Sequence, residues 1–120
     1  MVETTLAASG QFELRLCDNN QLVRQFAAPG VEGYVLGRSD NASSYLPDVD
    51  LAAYDALKRG ISRRHAAIVR FRDGIYIVDL GSVNGTFLDD QRLQPEKPYP
   101  LQSDMMFRLG SLNLRLIKIK

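Results

Sequence analysis

The chain has almost no cysteine, almost no histidine and no tryptophan: Cys17 and His65 each stand alone in 120 residues. A single thiol rules out an intrachain disulfide framework and a thiolate zinc site. With one imidazole beside it, no transition-metal centre is expected. An excess of one charge is also lacking. Fifteen Lys and Arg face fourteen Asp and Glu, a formal net charge of +1, which argues against a positive coat for bulk DNA binding. No apolar run approaches the roughly 18 residues of a membrane span, and no secretory apolar region follows Met1. A reducing cytoplasm suits this inventory. A sustained 3.6-residue period is missing too, so helices are not the framework.

What remains is a pattern of short strands cut by turns. Phe12, Leu14 and Leu16 alternate with Glu13 and Arg15, the signature of a half-buried strand. Asp18-Asn19-Asn20 turns the chain into residues 22–26, and Pro29-Gly30 breaks it again. Residues 34–36 form a short strand ending at Gly37-Arg38. A stretch without clear period follows, from 39 to 60, with a brief edge strand expected at 49–51 and a helical turn at 52–57. A loop of that length in a compact domain is usually functional. Strands return at 66–72 and 75–80 around Asp73-Gly74, read as a two-residue hairpin turn. Further strands are expected at 86–88, 92–93, 105–109 and 112–119. Such spacing indicates an all-β sandwich or barrel in one domain.

Charge is uneven within that pattern. Lys58, Arg59, Arg63, Arg64, Arg70 and Arg72 fall in a stretch with no acid, whereas Asp40, Asp48, Asp50 and Asp55 fall in the preceding stretch with no cation. Arg70 and Arg72 read as solvated strand residues. Arg63 and Arg64 sit at a loop-to-strand junction beside Ser62 and His65. Guanidinium forks and a hydroxyl together suit a phosphate better than a carboxylate.

Three loop sequences in order, Gly37-Arg38, Ser62-Arg63-Arg64-His65 and Gly81-Ser82-Val83-Asn84-Gly85-Thr86, resemble the forkhead-associated (FHA) domain. The resemblance covers roughly residues 11–120 and leaves 1–10 as a flexible tail. It implies an eleven-stranded β-sandwich whose loops at one end bind phosphothreonine peptides, a non-catalytic signalling module downstream of Ser/Thr kinases. By the same resemblance Arg38, Ser62 and Arg63 hold the phosphate, and Asn84 grips the peptide backbone with an amide that both donates and accepts. Gly37 and Gly85 then permit tight turns, and His65 props the Ser62 loop. No cofactor or metal is implied. Two positions depart from the family: Val83 stands where many members have a polar residue, and Gly60-Ile61 where some carry a cation that reads the peptide.

Three other readings compete. An enzyme would use Ser62 as nucleophile, His65 as base and Asp79 as orienter, but no nucleophile elbow is present and flanking guanidiniums disfavour an imidazolium. A nucleic-acid binder would use the 58–72 cations with Tyr and Phe as stacking platforms, yet the aromatics fall mostly at core-alternating positions. An FHA-type scaffold binding partners without phosphate is the third. Finally, Val2-Glu3-Thr4-Thr5 resembles the acidic, double-threonine tail of some single-domain FHA regulators. Its alternatives are a loose start and a ligand for the site of a second chain, since about six residues to Gln11 span at most ~20 Å.

Overall fold

The computed structural model describes residues 5–120. Its strands, in chain order, are Gln11–Leu16 (β1), Leu22–Ala27 (β2), Tyr34–Gly37 (β3), Val49–Asp50 (β4), Arg64–Phe71 (β5), Gly74–Asp79 (β6), Thr86–Leu88 (β7), Gln91–Arg92 (β8), Tyr99–Pro100 (β9), Met106–Leu109 (β10) and Leu112–Lys118 (β11). Alternation does what it should in β1 and β11. Phe12, Leu14 and Leu16 turn inward from one, and Leu112, Leu114 and Leu116 from the other. The two strands run antiparallel with Leu14 opposite Leu116.

One sheet has the order β2-β1-β11-β10-β7-β8 and the other β4-β3-β5-β6-β9. Between them lies one core, in which Phe12, Leu14, Phe107 and Leu114 meet Leu36, Ile68, Ile75 and Ile77. This is the eleven-stranded sandwich expected of the family. The only helical element among the described residues is a 3-10 turn, Ala52–Tyr54, and none is long and apolar enough to cross a membrane.

Local details differ from the sequence reading. The β5–β6 hairpin turns at Arg72-Asp73, not Asp73-Gly74, because Phe71 pairs with Gly74. Arg72 takes the left-handed conformation, φ 57°, and Gly74 serves a different need. A Cβ there would lie 2.7 Å from Cγ2 of Thr5, so Gly74 makes room for the N-terminal segment. That segment, part of the stretch read as a tail, is docked from Thr5 onward. Thr5 bridges to Gln102 and Ala7 to Gly74, and the Leu6 amide donates to Leu101 while its carbonyl accepts from Ile75, both at 2.8 Å. The Leu6 side chain is buried, and hydrophobic burial is the physical reason the segment is held. Thr4 lies outside the described residues. The short β9 was also missed; it ends in Pro100, which suits a sheet edge where no N–H is needed.

Candidate phosphopeptide-binding site

Strand register brings three loops to one end of the sandwich. Gly37, at the end of β3, pairs with Arg64 at the start of β5, and Ala66 pairs with Asp79 at the end of β6. Residues 38–48, 60–63 and 80–85 therefore emerge together. Gly37 is required here by close approach and not by a turn. A Cβ on it would sit 1.8 Å from the Arg63 carbonyl oxygen, at a register shift between Leu36 and Gly37. Gly85 does meet the expectation of a special backbone, with φ +92°.

Arg38 and Arg63 converge on one atom. Arg38 donates through Nε to the Ile61 carbonyl at 2.9 Å and through Nη1 to Asp40 Oδ2 at 2.8 Å. Arg63 Nε donates to the same Oδ2 at 2.9 Å. The Arg38 side chain is 16% exposed and the Arg63 side chain 48%, so one guanidinium is set in the wall and the other is free to adjust. The hydrogen bond from Arg63, joined by those from Arg38 and the Ala42 amide, holds the Asp40 carboxyl below its ordinary range despite partial desolvation.

Ser62 and His65 are linked through backbone. The Ser62 amide donates to His65 Nδ1 at 3.0 Å, and the buried ring turns Nε2 to the Gly85 carbonyl at 2.8 Å. These partners assign the neutral Nε2–H tautomer. Burial pushes the imidazole pKa down, partly opposed by the Gly85 carbonyl and Asp79. The Ser62 hydroxyl accepts from the Val83 amide at 3.2 Å, which leaves its own hydrogen to donate. Val83 itself is 79% exposed at the rim.

Asn84 donates through Nδ2 to the Gly60 carbonyl at 3.0 Å. A Cβ at Gly60, which has φ +77°, would come within 2.5 Å of that nitrogen. Gly60, read from sequence as a missing cation, is thus the seat of the Asn84 side chain. Lys58, Arg59, Gly110 and Ser111 join these two around an open depression of about 320 Å³.

Two acids have site roles that the sequence reading did not give them. Asp40 is one; its signal was only that it follows Arg38 by two residues. The other is buried Asp79, whose carboxylate accepts from the Gly81 and Ser82 amides at 3.0 and 3.2 Å and from the Ser82 and Thr86 hydroxyls at 2.6 and 2.7 Å. Asp followed three residues later by Ser is the local sign of such a side-chain-to-backbone turn. This knot shapes the loop that carries Asn84. It also dismantles the arrangement of Ser62, His65 and Asp79 that the enzyme reading needs: Asp79 is spent on Ser82 and Thr86, and both His65 nitrogens are occupied by backbone.

The geometry agrees with what the chain is similar to. The FHA domain family model matches residues 34–110. The probable E3 ubiquitin-protein ligase dma1 of Schizosaccharomyces pombe is 39% identical over 66 residues, covering 52% of this chain and 25% of that protein. The human nuclear inhibitor of protein phosphatase 1 is 27% identical over 100 residues, covering 82% of this chain and 26% of that one. The chain therefore spans about a quarter of each of these relatives. Among solved structures, the FHA domain of the CT664 protein from Chlamydia trachomatis superposes with a TM-score of 0.66 at 25% identity, covering 92% of this chain and all of that one. With the sandwich, the loop set and the family match in agreement, this chain belongs to the FHA domain family.

Proposed function

We propose that the chain binds phosphothreonine peptides in proteins modified by Ser/Thr kinases, and that it works as a non-catalytic signalling module. The observation that carries this reading is the convergence of Arg38 and Arg63 on a single carboxylate oxygen, 2.8 and 2.9 Å away. Two guanidiniums that already share one anionic oxygen are arranged for a group with several. A phosphothreonine supplies three oxygens and about −1.5 to −2 charges. Ser62 adds a hydroxyl donor beside them, and Asn84, one loop over, takes the peptide backbone. The ligand would lie extended across this end of the sandwich, and neither nucleic acid nor membrane is part of the proposed partner set.

Cytoplasmic residence stays part of the proposal; the human relative is named for the nucleus. Association of chains through phosphorylated Thr4 or Thr5 is also a proposal. Thr5 lies beside Gly74, at the end of β6 opposite Asp79 and the binding loops, which favours contact with the site of another chain over its own.

A phosphate-independent scaffold is the second reading, favoured by Asp40 already occupying the arginines. Calorimetry with peptide pools fixed only at the central residue separates the two. The phosphothreonine pool should bind, the phosphoserine pool roughly tenfold more weakly because it lacks the methyl, and the unphosphorylated pool not measurably. Equal binding of all three would establish the scaffold instead.

A further inference from the structure

Asp40 does something in this site that a phosphate-binding loop does not require. Its Oδ2 takes Nη1 of Arg38 and Nε of Arg63, and its Oδ1 takes the Ala42 amide at 2.9 Å. Two nearby acids are engaged elsewhere: Asp50 with the amide and hydroxyl of Ser39, and Asp79 with Ser82 and Thr86. Asp40 alone of the three places its charge between the two guanidiniums, where the phosphothreonine reading puts the ligand.

We infer that Asp40 is a specificity-determining residue: an internal carboxylate that holds Arg38 and Arg63 against weak anions and yields only to a phosphate. The inference rests on the phosphothreonine reading of the site. A carboxylate two residues from Arg38 competes at an effective concentration in the millimolar range or above. An Asp or Glu side chain of a peptide carries the same single charge and gains nothing by displacing it. A phosphothreonine brings more charge and more acceptor oxygens, so it can take over the donors. Asp40 thus sets a charge threshold that acidic peptides fail, at some loss of affinity for the phosphopeptide.

The same contacts would fit a counter-ion that merely positions the two arginines, and the two roles predict opposite signs. Arg38 decides between them. Its Nε is already fixed on the Ile61 carbonyl and its side chain is largely buried, so the bond to Asp40 consumes a donor more than it aims one.

Asp40→Asn keeps an acceptor for the Ala42 amide and removes only the charge. Wild type and Asp40→Asn, each with and without Arg38→Ala, are titrated by calorimetry with two pools, one fixed at phosphothreonine and one at Glu. Asp40→Asn should bind the phosphothreonine pool roughly two- to fivefold more tightly, the scale of a partly exposed charge pair. It should also give measurable heat with the Glu pool, where wild type gives none. Unchanged or weaker phosphothreonine binding, still abolished by Arg38→Ala, overturns the filter and leaves the phosphothreonine reading standing. No binding of that pool to either protein overturns both.

Discussion

The Ser62 amide donates to Nδ1 of His65 at 3.0 Å, while the far side of the same ring meets the Gly85 carbonyl. One buried imidazole therefore ties the loop before β5 to the loop before β7, and it does so only when neutral. A proton on Nδ1 would turn that acceptor into a donor facing the Ser62 N–H.

The consequence is a pH dependence with a definite sign. Burial lowers the folded pKa of His65 below its ordinary 6.5, so the unfolded chain takes up a proton first as the pH falls. The contribution to stability is complete above about pH 6.5 and is lost progressively as the pH drops through that value toward the folded pKa. Urea midpoints measured from about pH 7.5 down to about pH 5 should fall, and the slope should vanish in His65→Gln. As the chain holds one His, a single imidazole resonance reports the titration directly. A folded-state midpoint at or above the free value contradicts the assignment.

Arg38 should be the most sensitive position for ligand. Removing one partner of a hydrogen-bonded, desolvated charge pair costs roughly 2–5 kcal/mol, more than about 25-fold in affinity. Arg38→Ala should therefore nearly abolish phosphopeptide binding in a folded domain. Arg38→Lys should recover little, because one ammonium cannot serve both the Ile61 carbonyl and an anion as the fork does. Calorimetry on the two variants checks this, and near wild-type affinity in either speaks against the site.

Gly37 and Gly30 should respond very differently to the same change. An alanine at 37 would push its methyl against the Arg63 carbonyl, whereas a Cβ at Gly30 meets nothing within 4 Å. Gly37→Ala should cost about 1–3 kcal/mol or more, as overpacking does, and weaken binding by moving Arg63. Gly30→Ala should stay within about 0.5 kcal/mol of wild type. Thermal unfolding of the pair provides the comparison; similar melting temperatures would refute the close approach.

Leu6 tests the docked N-terminal segment. Its side chain is buried between strands, and its backbone bonds both Leu101 and Ile75. Leu6→Ala should lower stability by about 2–4 kcal/mol, measurable by chemical denaturation, whereas a free tail would tolerate it without change. Phosphopeptide affinity should be unaffected in the folded fraction, since Thr5 and Leu6 lie beside Gly74 at the other end of β6.

Much of the architecture was legible from local pattern. The alternation in β1 and β11 and the turn chemistry around Asp18-Asn19-Asn20 depend on neighbours in sequence, and Asn20 does adopt positive φ. Loop motifs also identified Arg38, Ser62, Arg63, Asn84 and His65, all of which the fold gathers at one end. The two-residue β9 was not legible, because its pairing with β6 is long-range and two residues carry no period. Docking of Leu6 escaped for the same reason: its partners lie about seventy and ninety-five residues away.

Asp40 marks the boundary most clearly. Sequence alone determined that this stretch carries acids without cations, that the next carries cations without acids, and that the chain is an all-β fold, a sandwich by the resemblance of its loop motifs, with a guanidinium-rich loop. Only the tertiary structure decided that Asp40 and Arg63, twenty-three residues apart, share an oxygen with Arg38. The pairing of β3 with β5 closes that gap, and its bulge at Gly37 sets where Arg63 emerges. Strand propensity acts over a few residues, but the position of a charge depends on register across strands. The site's electrostatics therefore follow from the fold.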